Sequence, residues 1–198
     1  MDKLEYEKKL RAQGYKYICG VDEVGRGPLA GPVVCAAVIM PLDDLIDGID
    51  DSKKLSAKKR EQLSKLIAEK AVCCNICRIE PSQIDEMNIL EATKLCMKTA
   101  VEGLEIAPDF VITDGNMTLD ICIPQQSIVK GDGLSYSIGA ASVAAKVFRD
   151  ALMDGYDAVY PEYGFAKHKG YGTAAHIQAI KEFGLTPIHR RSFTKKWQ

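Results

Sequence analysis

Apolar positions along this chain repeat in two registers, short continuous or alternating runs and longer runs with helical spacing, and the two kinds take turns. Leu4–Gln13 reads as a short charged helix stopped by Gly14. Tyr17–Glu23 and Pro32–Met40 read as strands, and the glycine-rich turn between them predicts an antiparallel pair. Asp43–Leu55 is a polar loop. Ser56 then caps a predicted helix over Ala57–Lys70, with Leu63, Leu66 and Ile67 as its apolar stripe. Ala71–Ile79 is a third strand. Asn88, with Glu91 three residues on, opens a helix running to about Gly103, whose inner face is Ile89, Ala92, Cys96 and Ala100.

Phe110–Thr113 and Ser127–Val129 are the fourth and fifth strands, ending at Asp114-Gly115 and at Lys130-Gly131-Asp132. Leu134–Gly155 reads as one long helix dense in small residues (Gly139, Ala140, Ala141, Ser142, Ala144, Ala145), a face that lets a helix lie close to a sheet. The remainder holds a helix over Thr173–Phe183 and a final segment, Pro187–Phe193. The order β-β-α-β-α-β-β-α-α predicts an α/β layered domain on a mixed sheet. With no repeat, low-complexity segment or linker, residues 1–198 are expected to form a single domain, with a helical C-terminal extension from about residue 156 packed on it.

Composition narrows the class. No apolar run approaches the roughly 18 residues that span a bilayer, and Met1–Lys9 alternates charge where a signal peptide would be apolar. A cytoplasmic location, with no membrane partner, is expected. The seven cysteines are scattered through apolar runs. Cys74-x-x-Cys77 has no second pair to complete a zinc site, so buried reduced thiols are expected. Net charge is −1, but residues 1–129 carry 16 Lys+Arg against 21 Asp+Glu (−5) while residues 130–198 carry 10 against 6 (+4). A local basic face built by the C-terminal third is compatible with tracking phosphates.

The candidate chemistry lies at strand ends. The first strand closes on adjacent carboxylates, Asp22 and Glu23, followed by the turn Gly25-Arg26-Gly27; the fourth closes on Asp114 and the fifth leads to Asp132. Any one of these acids reads equally well as loop chemistry. If the three strands run parallel and adjacent, however, four carboxylates converge in one crevice, where unpaired they raise each other's pKa. Such an oxygen-rich cluster suits a hard divalent cation, Mg²⁺ or Mn²⁺. A dinucleotide-binding reading fails because Gly25-x-Gly27-x-x-x-Gly31 misses G-x-G-x-x-G and a strand follows it. A non-catalytic nucleic-acid-binding module has no use for four acids near phosphate. A hybrid-type nuclease acting on DNA junctions remains a mechanistic rival.

Four blocks together resemble bacterial ribonuclease HII. They are Asp22-Glu23-Val24-Gly25-Arg26-Gly27-Pro28; Asp51-Ser52-Lys53-Lys54-Leu55; Lys130-Gly131-Asp132 followed by Ala140-Ala141-Ser142 and Ala145-Lys146-Val147; and Lys167-His168-Lys169-Gly170-Tyr171-Gly172. They occur in the family's order from about Ile18 to Phe193. The resemblance implies a ribonuclease H-like fold and metal-dependent cleavage of RNA in RNA–DNA hybrids, including at single ribonucleotides in duplex DNA. It carries the catalytic carboxylates onto Asp22, Glu23, Asp114 and Asp132, sets Gly25-Arg26-Gly27 against the ribonucleotide 2′-hydroxyl, and lays Tyr171 against the neighbouring deoxyribose. Adjacent Asp22 and Glu23 separate the chain from type 1 relatives, and Asp at position 132 from type 3. Val24 stands where the family often has Ala, and no glutamine-aromatic tail follows Phe193, so a clamp interaction has no support there.

Elementary chemistry reaches the same mechanism. Two cations about 4 Å apart can clamp a phosphate, activate water and assist the leaving oxygen. Asp22 is expected to bridge them, with Glu23 and Asp114 completing one site and Asp132 the other. Products are then 3′-hydroxyl and 5′-phosphate ends. Lys53, Lys54, Lys146, Arg149, Lys167 and Lys169 are phosphate candidates. His168 could protonate the leaving group, but a phosphate contact or an exposed histidine is the simpler expectation. A monomer is expected.

Overall fold

A computed structural model describes residues 2–197. In chain order it holds α1 (Glu5–Ala12), β1 (Ile18–Val24), β2 (Val33–Ile39), α2 (Ala57–Lys70), β3 (Cys73–Ile79), α3 (Pro81–Met87), α4 (Ile89–Glu102), β4 (Phe110–Asp114), β5 (Gln125–Ile128), α5 (Gly131–Leu134), α6 (Tyr136–Val159), α7 (Phe165–His168), α8 (Ala174–Phe183) and α9 (Arg191–Thr194). The strands form one mixed sheet in the order β3-β2-β1-β4-β5. β1 and β2 pair antiparallel as their glycine turn predicts, while β1, β4 and β5 run parallel. Among the described residues no helix is long and apolar enough to cross a membrane.

The sheet is covered on both faces, so every residue of β2 is buried and its sequence VVCAAVI is apolar without alternation. On one face Cys19, Val21, Cys35 and Ala37 meet Ala92, Cys96, Met97 and Ala100 of α4. On the other, Val34, Ala36 and Val38 meet Leu63 and Ile67 of α2 and the alanines of α6. α6 lies close on β1, an approach that Gly20 of the strand permits: a Cβ there would lie 2.2 Å from the Ser137 backbone carbon. Beyond that contact, Met153 of α6 packs with Tyr163, Phe165, Ala179 and Ile180 in a separate C-terminal cluster.

Several boundaries differ from the sequence reading. The helix expected over Leu134–Gly155 is two, broken at Ser135. That residue is extended (φ −116°, ψ 136°) and its hydroxyl caps α6 by accepting from the Ile138 amide, and α6 then continues through residue 156 to Val159. α3 was not expected from the sequence. Its N1 proline and the Gln83 side chain, which accepts from the Glu80 amide, start a helix in a segment with little apolar period. Leu66 is exposed and lies off the α2 stripe. β5 begins two residues earlier than expected, and Val129 lies outside it, exposed. Of the cysteines, Cys74 and Cys122 are exposed and all seven are free thiols.

Candidate active site

The register of the parallel strands brings the acids together. Val21 of β1 sits opposite Thr113 of β4, the last pair of their parallel register, so the next residue on each strand, Asp22 and Asp114, stands where the two strands stop pairing. Ligand oxygens of Asp22, Glu23 and Asp114 all lie within 4.8 Å of one another. Asp132 joins from the first turn of α5, buried, its Oδ1 accepting from the Gly133 amide at 2.9 Å. The loop that delivers it is tied to the cluster, because Asp114 Oδ1 accepts from the Gly131 amide at 2.7 Å. Lys130, which opens α5, takes a left-handed backbone (φ +60°) to make this turn.

These carboxylates repel. Burial, then the charges of Glu23 and Asp114, holds Asp22 well above the ordinary carboxylate range; a hydrogen bond from Ser142 and one from the Glu23 amide work the other way. Burial pushes Glu23 up to about 7 against the pull of Arg26, with Asp114 adding to the rise. Asp132 is raised by burial, then by Asp114 and Asp51. The nearest cations satisfy them only in part: Arg26 Nη1 is 3.6 Å from Glu23 and Lys53 Nζ is 3.9 Å from Asp132. A donor set made wholly of carboxylate oxygens, crowded and short of counter-charge, fits hard divalent cations.

Around the acids a cleft is lined by Ser52, Lys53, Ser142, Lys146 and Tyr171. Lys53 and Lys54 ride a single 3₁₀ turn over Ser52–Lys54, where the Asp51 side chain accepts from the Lys53 amide. Ser52 is buried and its hydroxyl meets that of Ser142 at 2.9 Å, while Arg60 donates to the Ser52 and Leu55 carbonyls. Lys54 also faces a neighbouring cleft with Lys130, Asp114 and Asp132. Lys146 pairs with Asp150 at 2.6 Å.

Gly25 adopts φ +93°, and a Cβ there would lie 2.2 Å from Arg149 Nε. Gly27 is exposed, and the nearest atom to a Cβ placed on it is Tyr171 Cε1 at 3.7 Å. The Tyr171 ring therefore stands directly beside the turn, exposed.

Three candidates are corrected. Arg149 is fully buried and offers nothing to a phosphate: it donates to the carbonyls of Pro32, Lys169 and Ala30. His168 has both ring nitrogens engaged by backbone, Nδ1 accepting from the Gly170 amide and Nε2 lying 2.8 Å from the Tyr163 carbonyl, so it is neither a free phosphate contact nor a proton donor to a leaving group. The Lys169 ammonium is bound by Asp154 and the Asp150 carbonyl. Lys167 is exposed and lines a separate cleft with Glu162, His168 and Thr173.

Arg190 was not singled out by sequence reasoning. This buried guanidinium donates to the carbonyls of Gly25, Arg26 and Gly31, wrapping the glycine turn around itself. Its partners are main-chain oxygens, which carry no signature in side-chain letters.

Comparison with known proteins agrees with this architecture. The family model Ribonuclease HII matches residues 19–196. A Ribonuclease HII of Acetivibrio thermocellus is 55% identical over 192 residues, covering 97% of this chain and 75% of that protein. Among solved structures, the ribonuclease H2 from Pyrococcus horikoshii OT3 superposes with a TM-score of 0.77 at 27% identity, covering 91% of this chain and 96% of that one. Bst-RNase HIII in complex with Mn²⁺ shares the fold with a TM-score of 0.68 at 19% identity, covering 91% of this chain and 68% of that one.

Proposed function

The chain belongs to the ribonuclease HII family, metal-dependent endoribonucleases that cleave the RNA strand of RNA–DNA hybrids, and from that premise we propose that it also cuts 5′ of a single ribonucleotide in duplex DNA, using two divalent cations held by Asp22, Glu23, Asp114 and Asp132. The observation that carries the reading is the meeting of three carboxylates within 4.8 Å at the ends of parallel strands, with Asp132 beside them and an exposed tyrosine over a glycine turn.

Asp114 links the two parts of the site, clustering with Asp22 and Glu23 and accepting from the Gly131 amide next to Asp132, and Asp22 is assigned the bridge between the two ions. Mg²⁺ or Mn²⁺ bound by these oxygens would supply an activated water and neutralise charge on the phosphate; the Mn²⁺ complex of the Bst-RNase HIII fold relative is in keeping with that choice. Lys53, exposed at the rim, meets the phosphate backbone, as does Lys54, while Lys146 lines the same cleft but is held by Asp150. Choosing RNA requires contact with the 2′-hydroxyl, both donor and acceptor. Because Arg190 takes the carbonyls of Gly25 and Arg26 from behind, that contact falls to the exposed side of the Gly25-Arg26-Gly27 turn. The Tyr171 ring packs on the next sugar. Every group comes from one chain, so a monomer suffices.

The test is a DNA duplex carrying one ribonucleotide, incubated with Mg²⁺ or Mn²⁺. A cut 5′ of the ribonucleotide, leaving 3′-hydroxyl and 5′-phosphate ends, is expected. No cut there, with long hybrids still cleaved, would refute the embedded-ribonucleotide reading.

A further inference from the structure

All three histidines of the sequence gather behind Tyr171. His176 and His189 are buried, and their Nε2 atoms lie 3.0 Å apart. Two imidazole nitrogens at that distance share one proton, so one ring donates and the other accepts. The remaining partners decide which. His176 Nδ1 is 2.9 Å from the Tyr171 carbonyl, an acceptor only, so His176 carries its proton on Nδ1 and presents a bare Nε2. His189 must then hold its proton on Nε2 and accept at Nδ1. There the Thr186 amide donates to it at 2.9 Å, with the Thr186 hydroxyl at 2.8 Å. The result is a chain with one sense, from Thr186 through His189 and His176 to the Tyr171 carbonyl, with both rings neutral.

Nothing in the reaction uses this pair, yet its last bond lands on the peptide of the one exposed aromatic residue beside the glycine turn. The same carbonyl accepts from the Thr173 amide at 2.8 Å, and the Tyr171 amide donates to the His168 carbonyl at 2.9 Å. The residue before it, Gly170, adopts φ +83°, and a Cβ there would lie 2.3 Å from the Ala30 carbonyl oxygen. The Tyr171 backbone is therefore held from several sides while its ring stays in solvent.

We propose that His176 and His189 are positioning residues that orient the Tyr171 ring over Gly27 and so set selectivity for the RNA–DNA junction. This rests on the reading of Tyr171 as a sugar platform. A peptide plane fixed by a buried hydrogen bond fixes the Cα–Cβ direction, and with it where the ring meets a sugar. Protonating both histidines would set two N–H groups against each other and open the chain. The titratable groups packed on the pair are His168, stacked on His176 with centroids 4.5 Å apart, and Tyr163, 5.1 Å from His189, whose hydroxyl donates to the Gly184 carbonyl. Phe165 supplies the apolar wall, and no salt bridge among the described residues involves either ring. Burial lowers both histidines, His189 to about 4, in keeping with a neutral pair near pH 7.

The test compares His176→Phe, His176→Asn and Tyr171→Ala on two substrates, a duplex with one ribonucleotide and a long uniform hybrid. Asparagine places an amide N–H near the Nδ1 position and preserves the bond to Tyr171. His176→Phe is expected to lower kcat/KM on the single-ribonucleotide duplex about tenfold, the scale of one buried hydrogen bond. The long hybrid should change little, and His176→Asn should recover most of the loss. Equal losses on both substrates, or no rescue by asparagine, overturn the positioning role. If Tyr171→Ala itself shows no selective loss, the platform reading beneath fails, which is a separate and recognisable result. Nitrogen-15 spectra of the unaltered protein supply a check free of folding artefacts. His176 protonated at Nδ1 and His189 at Nε2 are expected, and the opposite tautomers would end the proposal.

Discussion

Arg190 Nη2 donates to the Gly25 carbonyl at 2.6 Å across 165 positions of sequence. Nη1 reaches the Arg26 carbonyl at 2.8 Å, and Nε with Nη2 reach that of Gly31 at 3.0 and 2.8 Å, so carbonyl dipoles rather than a carboxylate solvate the buried charge. Burial and the neighbouring Arg149 lower its pKa to about 9. Arg190→Met would leave these carbonyls unpaired, each costing about 1–3 kcal/mol. A loss of several kcal/mol in chemical denaturation is therefore expected. Arg190→Lys, which cannot span three carbonyls, should recover only part. An unchanged denaturation midpoint for Arg190→Met would show that the turn holds its shape without it.

Asp22→Asn removes the carboxylate assigned to bridge the two cations, and one negative charge beside the phosphate site. Cleavage is expected to vanish while hybrid binding holds or tightens. A gel-shift titration beside a cleavage assay measures both, and wild-type cleavage would remove Asp22 from its assigned place.

Metal and pH act on the same carboxylates. Glu23 has its folded pKa raised from 4.5 to about 7, chiefly by burial, and Asp22 is raised in the same direction. Between those values the folded chain holds protons that the unfolded chain has released, so this contribution to stability is present at low pH and lost as pH rises toward 7. A divalent cation binds the ionised form and reverses the trend. The gain in melting temperature from millimolar Mg²⁺ should therefore be larger at pH 8 than at pH 5.5. A gain independent of pH would contradict cation binding at these acids.

Two glycines should respond in opposite ways. Gly20→Ala places a Cβ 2.2 Å from the Ser137 backbone, so α6 must move off β1 at a cost of about 1–3 kcal/mol or more. Gly27→Ala meets only Tyr171 Cε1, at an ordinary 3.7 Å, and should fold normally. Its expected effect is on single-ribonucleotide cleavage, since the methyl group intrudes where the 2′-hydroxyl approaches. Denaturation and cleavage assays on both variants separate the two roles.

Asp22, Glu23 and Asp114 were legible because each closes an apolar run, where an ionised group has to face a crevice, whereas Asp132 follows its run only after Lys130-Gly131 and sits in α5. Their convergence depended on β1, β4 and β5 lying side by side and parallel, a condition that the local pattern can state but not decide. Arg149 shows the opposite limit. Its letter suggests a phosphate ligand, yet it is buried because the loop carbonyls of Ala30 and Pro32 turn inward to it. His168 misled for the same reason, with backbone partners at both ring nitrogens. The break at Ser135 was hidden by the run of small residues after it, which reads as continuous helix until a hydroxyl is seen capping Ile138.

The proposed chemistry requires four carboxylates to hold two cations at one phosphate. Its most direct measurement is Mn²⁺ titration, followed by electron paramagnetic resonance, of the protein bound to a hybrid made uncleavable at the scissile linkage. Two bound ions with spin coupling between them are expected, falling to one in Asp132→Asn. A single uncoupled ion in the unaltered protein would contradict the account.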